Sequence, residues 1–69
     1  MVLIDVNKLN DKIKKSGYRK KWLSEQTHIS YSRFAGLTGG EIEPKQSEMV
    51  RMAEVLKMSP AEFDEIFST

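Results

Sequence analysis

The chain contains the same kind of helix start twice. At Ile29-Ser30 an apolar residue precedes a serine suited to an N-cap, and Phe34 stands where the fourth helical residue would be. At Met58-Ser59-Pro60 the arrangement recurs, with Phe63 in that place and Glu62 three residues after the serine. The serine hydroxyl satisfies an otherwise orphaned helix N–H, and a glutamate at the third position reaches back to the cap. The apolar pair on either side staples the chain at its angle of entry. Pro60 fits the first helical position, where its missing N–H has no helical partner to lose. Two such starts within 69 residues confine the chain to short helices that must pack on one another.

The other elements follow from apolar spacing and punctuation. Asp5 is placed to cap a first helix whose Val6, Leu9 and Ile13 share a face, and Lys14, Lys15 and Gly17 suit its end. A second helix is predicted over about 19–26, with Trp22 and Leu23 as its apolar contacts, and a third over about 31–38. Gly39-Gly40 stops the third, and Glu41-Ile42-Glu43-Pro44 reads as a loop. The fourth helix, about 45–57, has the clearest stripe, in Met49, Met52, Ala53 and Leu56. Ile66 and Phe67 are expected to continue the apolar face of the fifth almost to the chain end. Strand signals are confined to Val2-Leu3-Ile4. The predicted fold is all-α: one domain over 1–69, a compact bundle of five short helices.

Size and composition exclude most function classes. A domain this small buries only about 60% of its unfolded surface, which favours modest stability or oligomerisation. With no cysteine, disulfides and thiolate metal sites are impossible, which suits a cytoplasmic protein. No apolar run approaches a membrane span, and Val2-Leu3-Ile4 is too short for a signal core. The net charge of +1 conceals an uneven distribution. Residues 1–34 carry eight Lys and Arg against three acids, and residues 35–69 carry three against seven. A basic half joined to an acidic half points to a polyanion or to a charged protein partner.

Two short helices joined by a tight turn, the second capped and stapled, form a helix-turn-helix pattern. The residues that carry it are Leu23, Ile29-Ser30, Phe34 and Leu37, with Gly17 before them, Gly40 and Pro44 in the following loop, and Leu56-Lys57-Met58-Ser59 leading into the last helix. In this order, over about residues 5–67, the chain resembles the phage Cro and C-repressor (lambda-repressor-like) family of regulators. It looks most like the short Cro-like proteins of phages of Gram-positive bacteria.

That resemblance implies a DNA-binding transcriptional regulator of the lysis/lysogeny type, acting in the cytoplasm of a bacterial host. It implies phosphate contacts from Arg19, Lys20 and Lys21 in the first turn of helix two. Base reading falls to Tyr31, Ser32 and Arg33 at the start of helix three, with Arg33 reaching a guanine edge in bidentate fashion or clamping a phosphate. Backbone N–H groups of Gly39 and Gly40, with Lys45 nearby, would take further phosphates. The expected partner is double-stranded operator DNA, bound by a homodimer on a palindromic site, because one helix reads too few base pairs. The dimer surface is expected to include the apolar end of helix five, Phe63, Ile66 and Phe67, with the Val2-Leu3-Ile4 arm as a further candidate; part of that set must be core, and the sequence does not apportion it.

The sequence departs from the family at specific places. Gly36 occupies a position that usually reads a base, His28 stands where a small glycine usually lies in the turn, Ser24 replaces an alanine, and Glu41 and Glu43 put acid beside the phosphate contacts. These departures keep a rival open: an antirepressor that retains the fold but uses Glu41, Glu43 and the apolar end of helix five to bind a co-encoded repressor. An enzyme is not expected. His28 has no second histidine or cysteine for a metal, and Ser24, Ser30, Ser32 and Ser47 lack an accompanying base. No cofactor is implied. His28 reads better as a turn residue, Met49 and Met52 as core, and Trp22 as partly buried.

Overall fold

A computed structural model describes residues 3–68 of the chain. Among these residues the order is β1 (Leu3–Ile4), α1 (Val6–Ser16), α2 (Lys20–Thr27), α3 (Tyr31–Thr38), α4 (Gln46–Val55), α5 (Pro60–Ile66) and β2 (Phe67–Ser68). The fold is all-α, closed by one short antiparallel pair in which Leu3 faces Ser68 and Ile4 faces Phe67. Val2, part of the predicted arm, lies outside the described residues.

Caps set the helix boundaries. Asp5 accepts a hydrogen bond from the Lys8 N–H, Ser30 from the Arg33 N–H and Ser59 from the Glu62 N–H. The Glu62 carboxylate in turn accepts from the Ser59 N–H, completing the reciprocal box expected there. Helix α4 is shorter than the 45–57 expected, because Lys45 is its N-cap and Lys57 turns left-handed at φ 55° beyond it.

Three helices end in the same closure. Beyond α2 the N–H groups of His28 and Ile29 return to Glu25 and Ser24, and beyond α4 those of Lys57 and Met58 return to Glu54 and Ala53. Beyond α3, Gly40 and Glu41 return to Leu37 and Gly36. This paired return satisfies carbonyls that the last turn leaves open, and it needs a left-handed residue at the pivot. Only one of these three pivots is a glycine.

The core gathers Leu9 and Ile13 of α1, Leu23 of α2, Ile29 and Phe34 at the staple, Leu37 of α3, Met49 and Met52 of α4, Leu56, and the Ile66-Phe67 end. Each of the large apolar side chains fully enclosed here contributes about 1.5–3 kcal/mol relative to exposure. Helix α2 packs against both α3 and α4, while α1 packs against α3 and α5. The radius of gyration, 10.5 Å, matches the ~11 Å expected of a folded domain this long.

The C-terminus corrects the sequence reading. Phe67 does not prolong α5; it leaves the helix at φ −111°, ψ 70° and enters β2. The Asp5 N–H donates to the Ile66 carbonyl at 2.8 Å, so the chain end is bound to the chain start. Ile66 and Phe67 are each only 3% exposed. Both therefore make up the part of the expected dimer set that is core, and Phe63 alone of the trio stays partly open.

No helix among the described residues is long and apolar enough to cross a membrane.

Candidate nucleic-acid interface

The turn between α2 and α3 is three residues long, His28 to Ser30, and its shape is set by His28 at φ 58°, ψ 31°. The left-handed pivot reverses the chain and drops Ile29 into the core, where it meets the buried end of α3. Two buried hydroxyls finish α2: Ser24 donates to the Lys21 carbonyl at 2.6 Å and Thr27 to the Leu23 carbonyl at 2.7 Å. Ser24 thus occupies an interior position without an unsatisfied polar atom. The Arg51 guanidinium of α4 donates to the Thr27 carbonyl at 3.1 Å, placing a cation at the negative end of α2. At the other end of α3, the Asn10 amide of α1 donates to the Thr38 carbonyl at 2.8 Å.

Helix α3 has three faces. Phe34, Leu37 and Thr38 are buried. Tyr31, Ser32, Ala35 and Gly39 form one exposed stripe, with Tyr31 55% exposed. Between the two lie Arg33 and Gly36, and both are engaged by the segment that follows the helix.

Arg33 is held by Glu48. Its Nε donates to Glu48 Oε2 at 2.5 Å and its Nη2 to Oε1 at 2.9 Å, with the Glu43 carbonyl 3.4 Å from the same Nη2. Glu48 is 5% exposed and also accepts from the Lys45 N–H at 2.7 Å, so one carboxylate caps α4 and anchors α3. The Arg33 hydrogen bonds hold the Glu48 carboxyl below the ordinary carboxylate range, against the opposing effect of burial, and the Lys45 N–H adds to the lowering. The same pair raises the Arg33 guanidinium above its usual value. This corrects the sequence reading: the fork expected to grip a guanine edge or a phosphate is already occupied by a buried acid.

Gly36 faces Ile42. A Cβ added there would collide with Ile42 Cδ1 and lie 2.8 Å from its Cγ1. The missing side chain is therefore a packing requirement, letting the acidic loop fold down on α3. A second correction concerns the Gly39-Gly40 backbone. The Gly39 N–H donates to the Ala35 carbonyl at 2.9 Å and that of Gly40 to Leu37 at 3.3 Å, so both are committed to ending the helix and neither awaits a phosphate.

The charged residues divide into two groups. Lys8 and Lys12 of α1 pair with Glu65 and Glu62 of α5 at 3.8 and 2.8 Å, and Lys15 pairs with Asp11 at 2.9 Å. With Arg33–Glu48, three cations of the basic half pair with acids of the acidic half, and Lys15 pairs within its own half. Arg19, Lys20 and Lys21 at the start of α2 are exposed, as is Lys45 at the start of α4, and their side chains form no ion pair among the described residues. Glu41 and Glu43 are exposed on the loop.

No family model, curated protein or solved structure matches this chain.

Two features escaped the sequence reading. Tyr18 and Trp22 stack on the outside of α2, ring centroids 4.4 Å apart and each residue 40% exposed, although Trp22 was expected to be partly buried. Tyr18 lies before the extended N-cap Arg19, outside α2, so helical spacing does not bring the two rings together and the sequence carries no signal of the pair. The second is an apolar groove of about 290 Å³ between α4 and α5, lined by Val50, Ala53, Met58, Pro60 and Phe63, with Glu54 and Ser59 at its edge. Met58 and Phe63, the predicted staple, line it and cover the core only in part.

Proposed function

We propose that this protein is a sequence-specific DNA-binding transcriptional regulator of the phage Cro type, using α2 and α3 as a helix-turn-helix. One observation carries the reading: Arg19, Lys20 and Lys21 are three consecutive exposed cations, none of them in an ion pair among the described residues, at the start of the helix that precedes α3. In such an arrangement the first helix crosses the phosphate backbone and the second enters the major groove. Lys45 adds a further cation, while Tyr31, Ser32 and Ala35 present the side chains that meet base edges. A two-fold dimer follows from the few base pairs one helix spans, and the α4/α5 groove with Phe63 is the surface proposed to join the copies. No catalytic role is proposed.

The experiment is a titration of the protein against labelled duplex DNA at several salt concentrations. Binding that weakens steeply with salt supports the reading, because each neutralised phosphate contributes a slope of about 0.9. No salt-sensitive binding at micromolar protein overturns it. The rival, an antirepressor that docks on another regulator, draws support from Glu41 and Glu43, exposed on the loop between α3 and α4. Under that reading Glu41→Lys with Glu43→Lys abolishes capture of a co-encoded repressor, and the DNA titration shows nothing.

A further inference from the structure

We infer that the exposed face of α3 recognises its site chiefly through thymine 5-methyl groups, and not through guanine edges; the inference rests on the DNA-binding reading above. Strong purine readout needs arginine or lysine on guanine, or asparagine or glutamine on adenine, in bidentate geometry. The exposed stripe of α3, Tyr31, Ser32, Ala35 and Gly39, contains none of these side chains. The one candidate on the helix, Arg33, is turned onto Glu48 with two donors engaged. At Gly36 a side chain that could add readout would run into Ile42.

What remains is an aromatic ring, a methyl group and one hydroxyl. Ser32 can donate or accept and so discriminates weakly. Tyr31 and Ala35 lie four residues apart, about 6 Å along the helix axis, so their apolar surfaces fall on one face at a separation comparable with two base-pair steps. Gly39, on the same stripe, allows a close approach. The feature of the major groove that such apolar surface recognises is the thymine methyl. The unpaired cations Arg19, Lys20, Lys21 and Lys45 then supply affinity without sequence information.

The test alters the DNA, so the fold is untouched. A preferred site is selected from a random duplex pool with the full chain, and each thymine is replaced in turn by uracil, which keeps the base pairing and removes only the methyl. At fixed salt, two or more positions should each lose about fourfold in affinity, the transfer equivalent of one buried methyl group. The Tyr31→Ala and Ala35→Gly proteins, checked for folding by circular dichroism, should each lose the thymine–uracil difference at one position while keeping the salt slope of the parent. Replacing cytosine by 5-methylcytosine at such a position should restore affinity to a site that lacks thymine there. Salt-sensitive binding with equal affinity for thymine and uracil duplexes overturns this inference and leaves the DNA reading standing. Absence of salt-sensitive binding by the parent overturns both.

Discussion

Arg33 of α3 and Glu48 of α4 are joined by two hydrogen bonds, at 2.5 and 2.9 Å, with the acid almost wholly enclosed and the arginine a third exposed. Fifteen residues apart in sequence, they fix how the exposed helix sits on the rest of the domain. Because Glu48 also receives the Lys45 N–H, loss of its charge loosens both the α3 anchor and the start of α4.

Glu48→Gln should therefore destabilise the domain by about 1–3 kcal/mol, less than a fully buried pair because Arg33 retains access to water. The acid dependence has a definite sign. Glu48 titrates below its ordinary range when folded, first because of Arg33, and Glu62 does so too because of Lys12 and the Ser59 N–H. The unfolded chain thus takes up these protons at higher pH. The stability they confer is complete above the ordinary glutamate range and is lost as pH falls through the depressed folded values. Urea unfolding between about pH 7 and about pH 3 should show stability falling in that acid window, with a shallower fall in Glu48→Gln. Equal acid slopes in the two proteins would contradict this account.

Gly36→Ala should destabilise by about 1 kcal/mol even though alanine is the better helix former, because the new methyl meets Ile42. In an Ile42→Ala background the collision is gone, and the same change should stabilise by about 1 kcal/mol through helix propensity. Thermal unfolding of the four proteins forms a double-mutant cycle. Additivity across it would show that loop and helix are not in contact.

The predicted helix starts hold because a cap is local. Asp5, Ser30 and Ser59 each act within three residues, and the apolar stripes of α1 and α4 place Leu9, Ile13, Met49 and Met52 in the core. What the sequence concealed depends on contacts between distant segments. Nothing near Arg33 announces Glu48, nothing near Gly36 announces Ile42, and Phe67 becomes a strand residue only because Ile4 lies alongside it. The ends of α2 and α4 were hidden differently, since the pivots that usually reveal themselves as glycine are His28 and Lys57 here. Of the candidate site, the exposed cations and Tyr31, Ser32 and Lys45 are placed at the surface as expected. Arg33 and the Gly39-Gly40 backbone are committed elsewhere.

Those two pivots give a simple stability test. A non-glycine residue in the left-handed region carries a cost of about 1–2 kcal/mol that glycine avoids, offset in part by glycine's greater freedom when unfolded. His28→Gly should raise stability by about 1 kcal/mol, or the thermal midpoint by about 4–8 °C in a domain of this size. Lys57→Gly should act in the same direction. A lower midpoint in His28→Gly would mean that the imidazole makes a contact worth more than the backbone cost.

Alanine substitutions in the two helices should separate phosphate contacts from positioning. Lys20→Ala and Lys21→Ala, exposed and unpaired, should leave the thermal midpoint unchanged and weaken DNA binding on every sequence alike, each lowering the salt slope by about one unit. Arg33→Ala should behave unlike either. A side chain free to read guanine would, on removal, cost affinity on the preferred site alone. Arg33 instead supports α3 through Glu48, so its loss should lower the thermal midpoint and weaken preferred and scrambled duplexes by the same factor, with the salt slope unchanged. Binding must be measured well below the variant's midpoint, so that the folded fraction is equal to that of the parent. A loss confined to the preferred duplex would place the Arg33 guanidinium on a base, and would require the Glu48 pair to open when DNA binds.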